Sequence, residues 1–130
     1  MTALDTNLLV RVLTNDDAVQ SQRAAAFMLR QDRLYVLKTV LLEIEWVLRS
    51  SYGFDREAIS LGLRSVIRTP NFLIQDEKAV LVALEWYEEG MDFADAIHLA
   101  SISGESEFAT FDVSLRRTAE RLGIGTVVSI

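Results

Sequence analysis

The sequence contains no cysteine, one histidine and one proline in 130 residues. Without cysteine the chain has neither disulfides nor thiolate metal sites, and His98 alone excludes a histidine-rich zinc site. One proline and six glycines leave no linker and no low-complexity segment. Since 50% of the residues are hydrophobic and the mean hydropathy is +0.20, we expect a single domain over residues 1–130.

Long apolar runs are absent as well. No uncharged run approaches the roughly 18 residues that a membrane-spanning helix requires. The first residues also lack the basic segment followed by an apolar one that forms a secretory signal peptide. We therefore expect a cytoplasmic protein that does not associate with membranes.

Basic residues are in short supply, with 13 Lys and Arg against 19 Asp and Glu, a net charge of −6 and a pI near 4.7. This balance argues against a nucleic-acid partner, because proteins that bind phosphates usually carry a basic excess. The acids are concentrated late in the chain, where residues 71–130 hold four basic and eleven acidic residues. Any function that involves nucleic acid must account for this charge.

Short apolar runs alternate with helical patterns along the whole chain. The runs predict strands at 3–4, 34–37, 72–74, 108–111 and 126–128. Strands that alternate with helices indicate an α/β fold, with a central, mainly parallel sheet of about five strands and helices on both faces. In such sheets ligands bind at the carboxyl ends of the strands.

Several polar residues stand where helices should begin. Asp16 or Asp17 is expected to cap a helix that runs to about residue 30, Thr39 to cap the next one through Ser50, and Asp55 the one after that. The helix that begins near residue 18 has an apolar stripe, which we expect to face the core: Val19, Ala25, Ala26 and Leu29.

Acids stand at the ends of two predicted strands and inside one apolar helix. Asp5 and Asp112 follow strands, so the fold places both at the same edge of the sheet, and Asp92 and Asp95 open a helix that can begin there. Taken singly, each of these aspartates is explained by helix capping or by the helix dipole.

Glu43 and Glu45 lie inside the most apolar helix of the sequence. A buried acid costs several kcal/mol unless it is paired or bound to a metal. Because helical geometry separates the two side chains by about 200°, one of them can instead face solvent.

No lysine or arginine lies within two residues of Asp5, Asp95 or Asp112. Carboxylates brought together repel each other, and a divalent cation relieves that repulsion. Oxygen ligands without cysteine and with a single histidine favour Mg²⁺ or Mn²⁺ over zinc. Mg²⁺ commonly binds through a few carboxylates together with substrate phosphates, so the acids point to phosphoryl chemistry.

Four segments together resemble the PIN-domain nucleases, and most of all the VapC-type toxins of type II toxin-antitoxin pairs: Leu4-Asp5-Thr6-Asn7, the helix at 41–48, the run at 92–100 and Ala109-Thr110-Phe111-Asp112. The resemblance implies a single sheet in the strand order 3-2-1-4-5. It also implies these catalytic and metal-binding acids: Asp5, Glu43, Asp95 and Asp112. Supporting polar groups would be Thr6, Asn7 and Thr110. Whether Asp92 is a ligand or a cap stays open, and Glu45 does not match the family pattern.

The resemblance further implies a metal-dependent endoribonuclease that leaves a 5′-phosphate on RNA, with transfer RNA or another structured RNA as substrate. It implies a VapB-like antitoxin as partner and a homodimer. Trp46, Trp86 and Tyr87 can serve either interface or belong to the core. Without the five acids at positions 5, 43, 92, 95 and 112 the net charge is −1 instead of −6. Basic residues that can contact phosphates, or simply lie on solvated helix faces, are Arg11, Lys38, Arg49, Arg116 and Arg117.

Three other functions fit parts of the pattern. A phospho-acceptor receiver module needs an acid pair near the first strand and a lysine that ends a late strand, and the sequence has neither. A haloacid-dehalogenase phosphatase needs Asp-x-Asp, but position 7 is Asn7. A PIN-like module that binds RNA or protein without cutting is the main alternative, and the complete set of four acids argues against it.

Overall fold

The structure is a computed structural model that describes residues 1–102 and 104–130. It divides into two compact units, Met1–Gln75 and Asp76–Ile130. The single domain expected over residues 1–130 stays a prediction. Within the described residues, no helix combines the length and the apolar character that crossing a membrane requires.

The first unit contains three parallel strands in the spatial order β1-β2-β3. The backbone N–H of Leu4 donates to the carbonyl of Tyr35 at 3.0 Å and extends the ladder one residue beyond β1. Leu34 and Val36 of the central strand are fully buried, as the apolar run predicts. In chain order the elements are β1 Thr2–Ala3, α1 Thr6–Thr14, α2 Ala18–Leu29, β2 Leu34–Val36, α3 Lys38–Ser50, α4 Arg56–Ile67 and β3 Phe72–Ile74.

Aspartate caps begin two helices of this unit as expected. Asp17 accepts from the backbone N–H of Gln20 at 3.0 Å, and Asp55 accepts from that of Ala58 at 2.8 Å. Each cap satisfies a backbone N–H that has no partner inside the helix. Of the two candidates for the start of α2, Asp17 is therefore the cap.

The expected cap of α3 is wrong. The helix begins at Lys38 with Leu37 at the cap position and no side-chain cap. Instead the N–H of Lys38 donates to the Gln75 side chain at 3.0 Å. This partner is 37 residues away, so Thr39 is not needed and lies exposed within the first turn.

The apolar stripe expected on α2 does not face the core. Val19 and Leu29 are 67% and 87% exposed, and Ala24 is the buried residue of the helix. Ala25 and Leu29 instead line an open apolar cleft with residues of α1 and α4. The spacing predicts an apolar face correctly, but not whether another element covers it.

The second unit contains α5 Glu77–Glu88, α6 Phe93–Ser101, β4 Phe108–Thr110, α7 Val113–Arg121 and β5 Val127–Ser129. The two strands are parallel and pair Phe108 with Val127. Helices α5 and α6 pack closely, and the rings of Tyr87 and Phe93 meet edge to face at 5.3 Å. Phe93 is 1% exposed, and burying such a side chain contributes about 1.5–3 kcal/mol.

The α/β class with parallel strands and flanking helices is confirmed by these elements. The single sheet in the order 3-2-1-4-5 is not confirmed, because the described strands form one sheet of three and one of two. The order within each sheet agrees with the prediction. However, β1 has two residues and, in the described chain, its ladder is with β2.

Candidate metal-binding carboxylates

Asp5 stands at the junction of the first strand and the first helix. Its extended backbone, with φ −79° and ψ 154°, makes it the N-cap of α1. Its Oδ1 accepts from the backbone N–H of Thr6 at 2.9 Å. The side chain is exposed, and its Oδ2 accepts no hydrogen bond from the described part of the chain. One carboxylate oxygen is thus fixed and the other is available to a ligand.

Thr6 links two of the predicted acids. While its N–H holds Asp5, its hydroxyl donates to Oε1 of Glu43 at 3.1 Å. Thr6 is 5% exposed, whereas both acids are exposed. A buried side chain with little freedom therefore brings together two carboxylates that are 37 residues or more apart in sequence.

Glu45 has a different environment from Glu43, although both lie on α3. Glu45 is 3% exposed, and its carboxylate accepts from Arg49 one turn later, at 2.8 Å from Nε. An ion pair of this kind removes most of the cost of burying the acid. The acid that faces solvent is therefore Glu43, and Glu45 belongs to the interior of the first unit.

Two acids stand at the start of α6 in the second unit. Asp92 is the N-cap, and its Oδ2 accepts from the backbone N–H of Asp95 at 3.1 Å. Asp95 lies in the first helical turn and is half-buried. The partial positive charge of a helix N-terminus stabilises both anions. Asp92 is thus a cap, and its Oδ1 accepts no bond from the described residues.

Asp112 follows β4 by two residues and is the N-cap of α7. Its Oδ1 accepts from the backbone N–H of Leu115 at 3.1 Å, while its own N–H donates to the Thr110 hydroxyl at 2.9 Å. Thr110 therefore fixes the backbone at the point where the strand turns into the helix. The Asp112 side chain is exposed.

The acids of the second unit act on one another electrostatically. Partial burial raises the pKa of the Asp95 carboxyl, and the negative charges of Asp92 and Asp112 raise it further. The nearby His98 acts in the opposite direction and lowers it. Asp95 is therefore close enough to Asp92 and to Asp112 for their negative charges to disfavour its ionised form.

Neither Asn7 nor His98 makes a hydrogen bond to the carboxylates within the described part of the chain. Asn7 is exposed. His98, the single histidine of the sequence, is exposed. Its ring stacks on Phe108 with centroids 6.1 Å apart. That contact explains its position on α6 without a ligand.

Among residues 1–102 and 104–130, no three acidic or imidazole side chains are arranged as a preformed metal site. The donor set nevertheless fits a hard divalent cation, because every donor is a carboxylate oxygen. In the described chain neither Asp5 nor Glu43 forms an ion pair, so no basic residue neutralises them.

Sequence reasoning overlooked the exposed arginines of α2. Gln20, Arg23, Phe27 and Arg30 line one cleft with Arg11 of α1. The signal was readable, since positions 20, 23, 27 and 30 recur at helical spacing.

Comparison with known families gives one match. The family described as PIN domain matches residues 2–121, a span that includes all of the acids described above. No curated protein and no solved structure is similar enough to this chain to count as a match. Since the family match covers most of the sequence, the chain belongs to the PIN domain family, whose fold is that of nucleases and whose members are generally metal-dependent ribonucleases.

Proposed function

We propose that this chain is a metal-dependent endoribonuclease of the VapC type. The observation that carries the proposal is the double contact of Thr6, which holds the Asp5 and Glu43 carboxylates together. The two contacts help α1 to begin and tie it to α3, but the arrangement also sets two carboxylates without a basic partner near each other, where like charges repel. That arrangement has an advantage if the carboxylates bind a cation.

The proposed ligands of the divalent cation, Mg²⁺ or Mn²⁺, are Asp5, Glu43, Asp95 and Asp112, and Asp92 is a possible further one. All are carboxylates, which is the donor type that these hard cations take. When bound, the cation would activate a water molecule and stabilise the negative charge that develops on the phosphate and its leaving oxygen.

The residues of the chain have separate tasks in this reaction. Thr6 orients Glu43 through its hydroxyl and Asp5 through its N–H. Thr110 holds the backbone of Asp112. The reaction adds water across the bond between phosphorus and the 3′ oxygen of RNA. One fragment keeps the phosphate at its 5′ end, and the other ends in a 3′ hydroxyl.

The net charge of −6 is compatible with an RNA substrate. Five of the acidic residues are the proposed ligands and Asp92, and without them the remaining chain has a net charge of −1. A bound divalent cation neutralises part of this group. The acidity of the sequence therefore reflects the site more than the surface that meets RNA.

We further propose that a VapB-like antitoxin inhibits the enzyme and that the chain forms a homodimer in the cytoplasm. An apolar cleft of 640 Å³ between α1, α2 and α4 suits a segment of a partner. Trp46 is 57% exposed and suits an interface, whereas Tyr87 is 2% exposed and belongs to the core. Co-purification with the product of a small adjacent reading frame tests the antitoxin.

Cleavage of RNA by the purified chain tests the enzymatic proposal. We expect cleavage with Mg²⁺ or Mn²⁺ and none in EDTA. In Asp5→Asn and in Glu43→Gln the rate of cleavage should fall by a factor on the order of 10² or more. Asparagine caps helices as well as aspartate does, so Asp5→Asn keeps the fold.

Asp55→Asn is the matched control, because it makes the same change at an exposed N-cap of α4. Its activity should equal that of the unmodified protein. Equal cleavage in EDTA, or full activity in Asp5→Asn, would contradict the metal mechanism. RNA binding without any cleavage would favour the alternative, a PIN-like binding module.

A further inference from the structure

A cleft of 570 Å³ lies between α1 and α2, wholly within the first unit. Three arginines line it, Arg11 from α1 and Arg23 and Arg30 from α2 and its C-cap. The chain as a whole is acidic, so three guanidinium groups around one cleft form an unusual local concentration of positive charge.

The three arginines differ in what they contact. Arg11 donates from Nε to Gln20 at 2.7 Å and pairs with Asp16 at 3.3 Å, and it also donates to the Tyr52 hydroxyl at 3.1 Å. These contacts hold its side chain and balance its charge. In contrast, the side chains of Arg23 and Arg30 are exposed and make no hydrogen bond or ion pair with the described part of the protein.

Phe27 lies between these two arginines along α2. Positions 23, 27 and 30 share one helix face, and the helical rise places the arginine backbones about 10 Å apart along the axis. The Phe27 side chain is half-buried and lines the cleft. Two unpaired guanidinium groups with an aromatic ring between them are what a nucleic-acid strand needs, for phosphates and a base respectively.

The cleft is also close to a proposed metal ligand. Asn7 lines it and belongs to the first turn of α1, two residues after the cap Asp5. A nucleic-acid strand that occupies the cleft therefore reaches the N-terminal end of α1, where the Asp5 carboxylate lies.

We infer that this cleft binds a single-stranded segment of the RNA substrate, with Arg23 and Arg30 on phosphates and Phe27 against a base. The inference deepens the proposed function and depends on it for the identity of the ligand. An acidic peptide would also satisfy the arginines, but it would leave the aromatic ring between them without a role.

RNA binding measured without cleavage tests the inference. The probe is a fluorescein-labelled single-stranded RNA of about 12 nucleotides, followed by anisotropy in EDTA over a range of salt concentrations. The test variants are Arg23→Gln/Arg30→Gln and Phe27→Leu. The matched control is Arg33→Gln/Arg68→Gln, which changes the charge equally at two exposed arginines that do not line the cleft.

We expect Arg23→Gln/Arg30→Gln to weaken binding on the order of tenfold and to lower the salt slope by about 1.4, since each single-strand phosphate contact contributes about 0.7. Phe27→Leu should weaken binding on the order of fivefold with little change in slope. The control should change affinity by less than about twofold. Equal loss in the double variant and the control would overturn the inference.

Two further readouts separate the possible failures. If the Arg23→Gln/Arg30→Gln variant loses affinity for poly-L-glutamate but keeps RNA binding, the cleft takes an acidic protein segment and the inference is wrong. If the RNA results hold but the unmodified protein cleaves nothing with Mn²⁺, the inference stands and the proposed nuclease function fails. If Arg23→Gln/Arg30→Gln cleaves RNA normally with an unchanged KM, the proposed nuclease function stands and the inference about the cleft is wrong.

Discussion

Replacing Thr6 by valine removes the hydroxyl that holds Glu43 and keeps the backbone N–H that holds Asp5. Valine has nearly the same shape as threonine, and the site is 5% exposed, so the methyl group fits. The substitution therefore isolates one contact of 3.1 Å. We expect the variant to fold normally and to bind Mn²⁺ less tightly.

The two effects of this substitution differ in size. A hydrogen bond to a charged group contributes about 1.5–3 kcal/mol, but the exposed Glu43 carboxylate regains water, so we expect a loss of about 0.5–1.5 kcal/mol in metal-free stability. Loss of a group that orients a metal ligand lowers affinity by roughly 10–100-fold, which equals about 1.4–2.7 kcal/mol. The effect on metal binding is thus the larger one.

Thermal unfolding in EDTA and in saturating Mn²⁺ separates these effects. For a chain of this length, 1 kcal/mol corresponds to roughly 3–5 °C in Tm. The rise in Tm caused by Mn²⁺ should therefore be smaller in Thr6→Val by roughly 4–14 °C, because stabilisation by a ligand depends on its affinity. RNA cleavage at limiting Mn²⁺ should fall in parallel.

Two variants control for the fold. Thr6→Ser keeps the hydroxyl and should restore most of the rise in Tm, whereas Thr39→Val makes the same chemical change at an exposed position of α3 and should leave it intact. If Thr6→Val kept the full effect of Mn²⁺, within about 1 °C, the Thr6 to Glu43 contact would have no part in metal binding.

Three other substitutions have expected outcomes. Asp95→Asn should raise the metal-free free energy of unfolding by less than about 1 kcal/mol, measured as a higher Tm. This gain should shrink as pH falls through the raised pKa of Asp95, because the natural carboxyl then becomes neutral. An unchanged response of Tm to Mn²⁺ would remove Asp95 from the site. Arg49→Met should cost about 1–3 kcal/mol by leaving the buried Glu45 carboxylate without this partner, with the rate of cleavage per folded molecule unchanged; a denaturant titration and an activity assay check both. The hydrogen bond from Tyr52 holds the pKa of Asp16 below its usual range. The ionised Asp16 therefore stabilises the fold above its unfolded-state pKa, and this stability is lost as pH falls through its lower folded-state pKa. An NMR titration of Tyr52→Phe should show a higher Asp16 pKa, and an unchanged pKa would contradict the role of Tyr52.

Local signals in the sequence predict the parts of this fold that depend on near neighbours. Asp17, Asp55 and Asp112 cap helices as expected, because a cap needs only a backbone N–H a few residues away. Thr39 fails for the opposite reason. The N–H at the start of α3 is satisfied by Gln75, and no local pattern can announce so distant a partner.

The candidate site divides in the same way. The sequence placed Asp5 and Asp112 after strands, and the structure has both there. The burial and charge arguments available from the sequence did not distinguish which of Glu43 and Glu45 faces solvent. Arg49, four residues after Glu45, was the readable indication of an ion pair. The contact between Thr6 and Glu43 depends on how α1 packs against α3, which no local pattern records.

The caps at Asp5, Asp92 and Asp112 bear on how PIN-like chains are sorted into those that cut and those that only bind. Each of these carboxylates helps its helix to begin, so a chain that had lost its enzymatic role would still have reason to keep them. Glu43 lies in the middle of α3, caps nothing and, among the described side chains, is hydrogen-bonded to Thr6 alone. Because Glu43 begins no helix, a chain without an enzymatic role would lose only the Thr6 hydrogen bond with it. Glu43 is therefore the acid whose retention in a related chain is the more telling sign of catalysis.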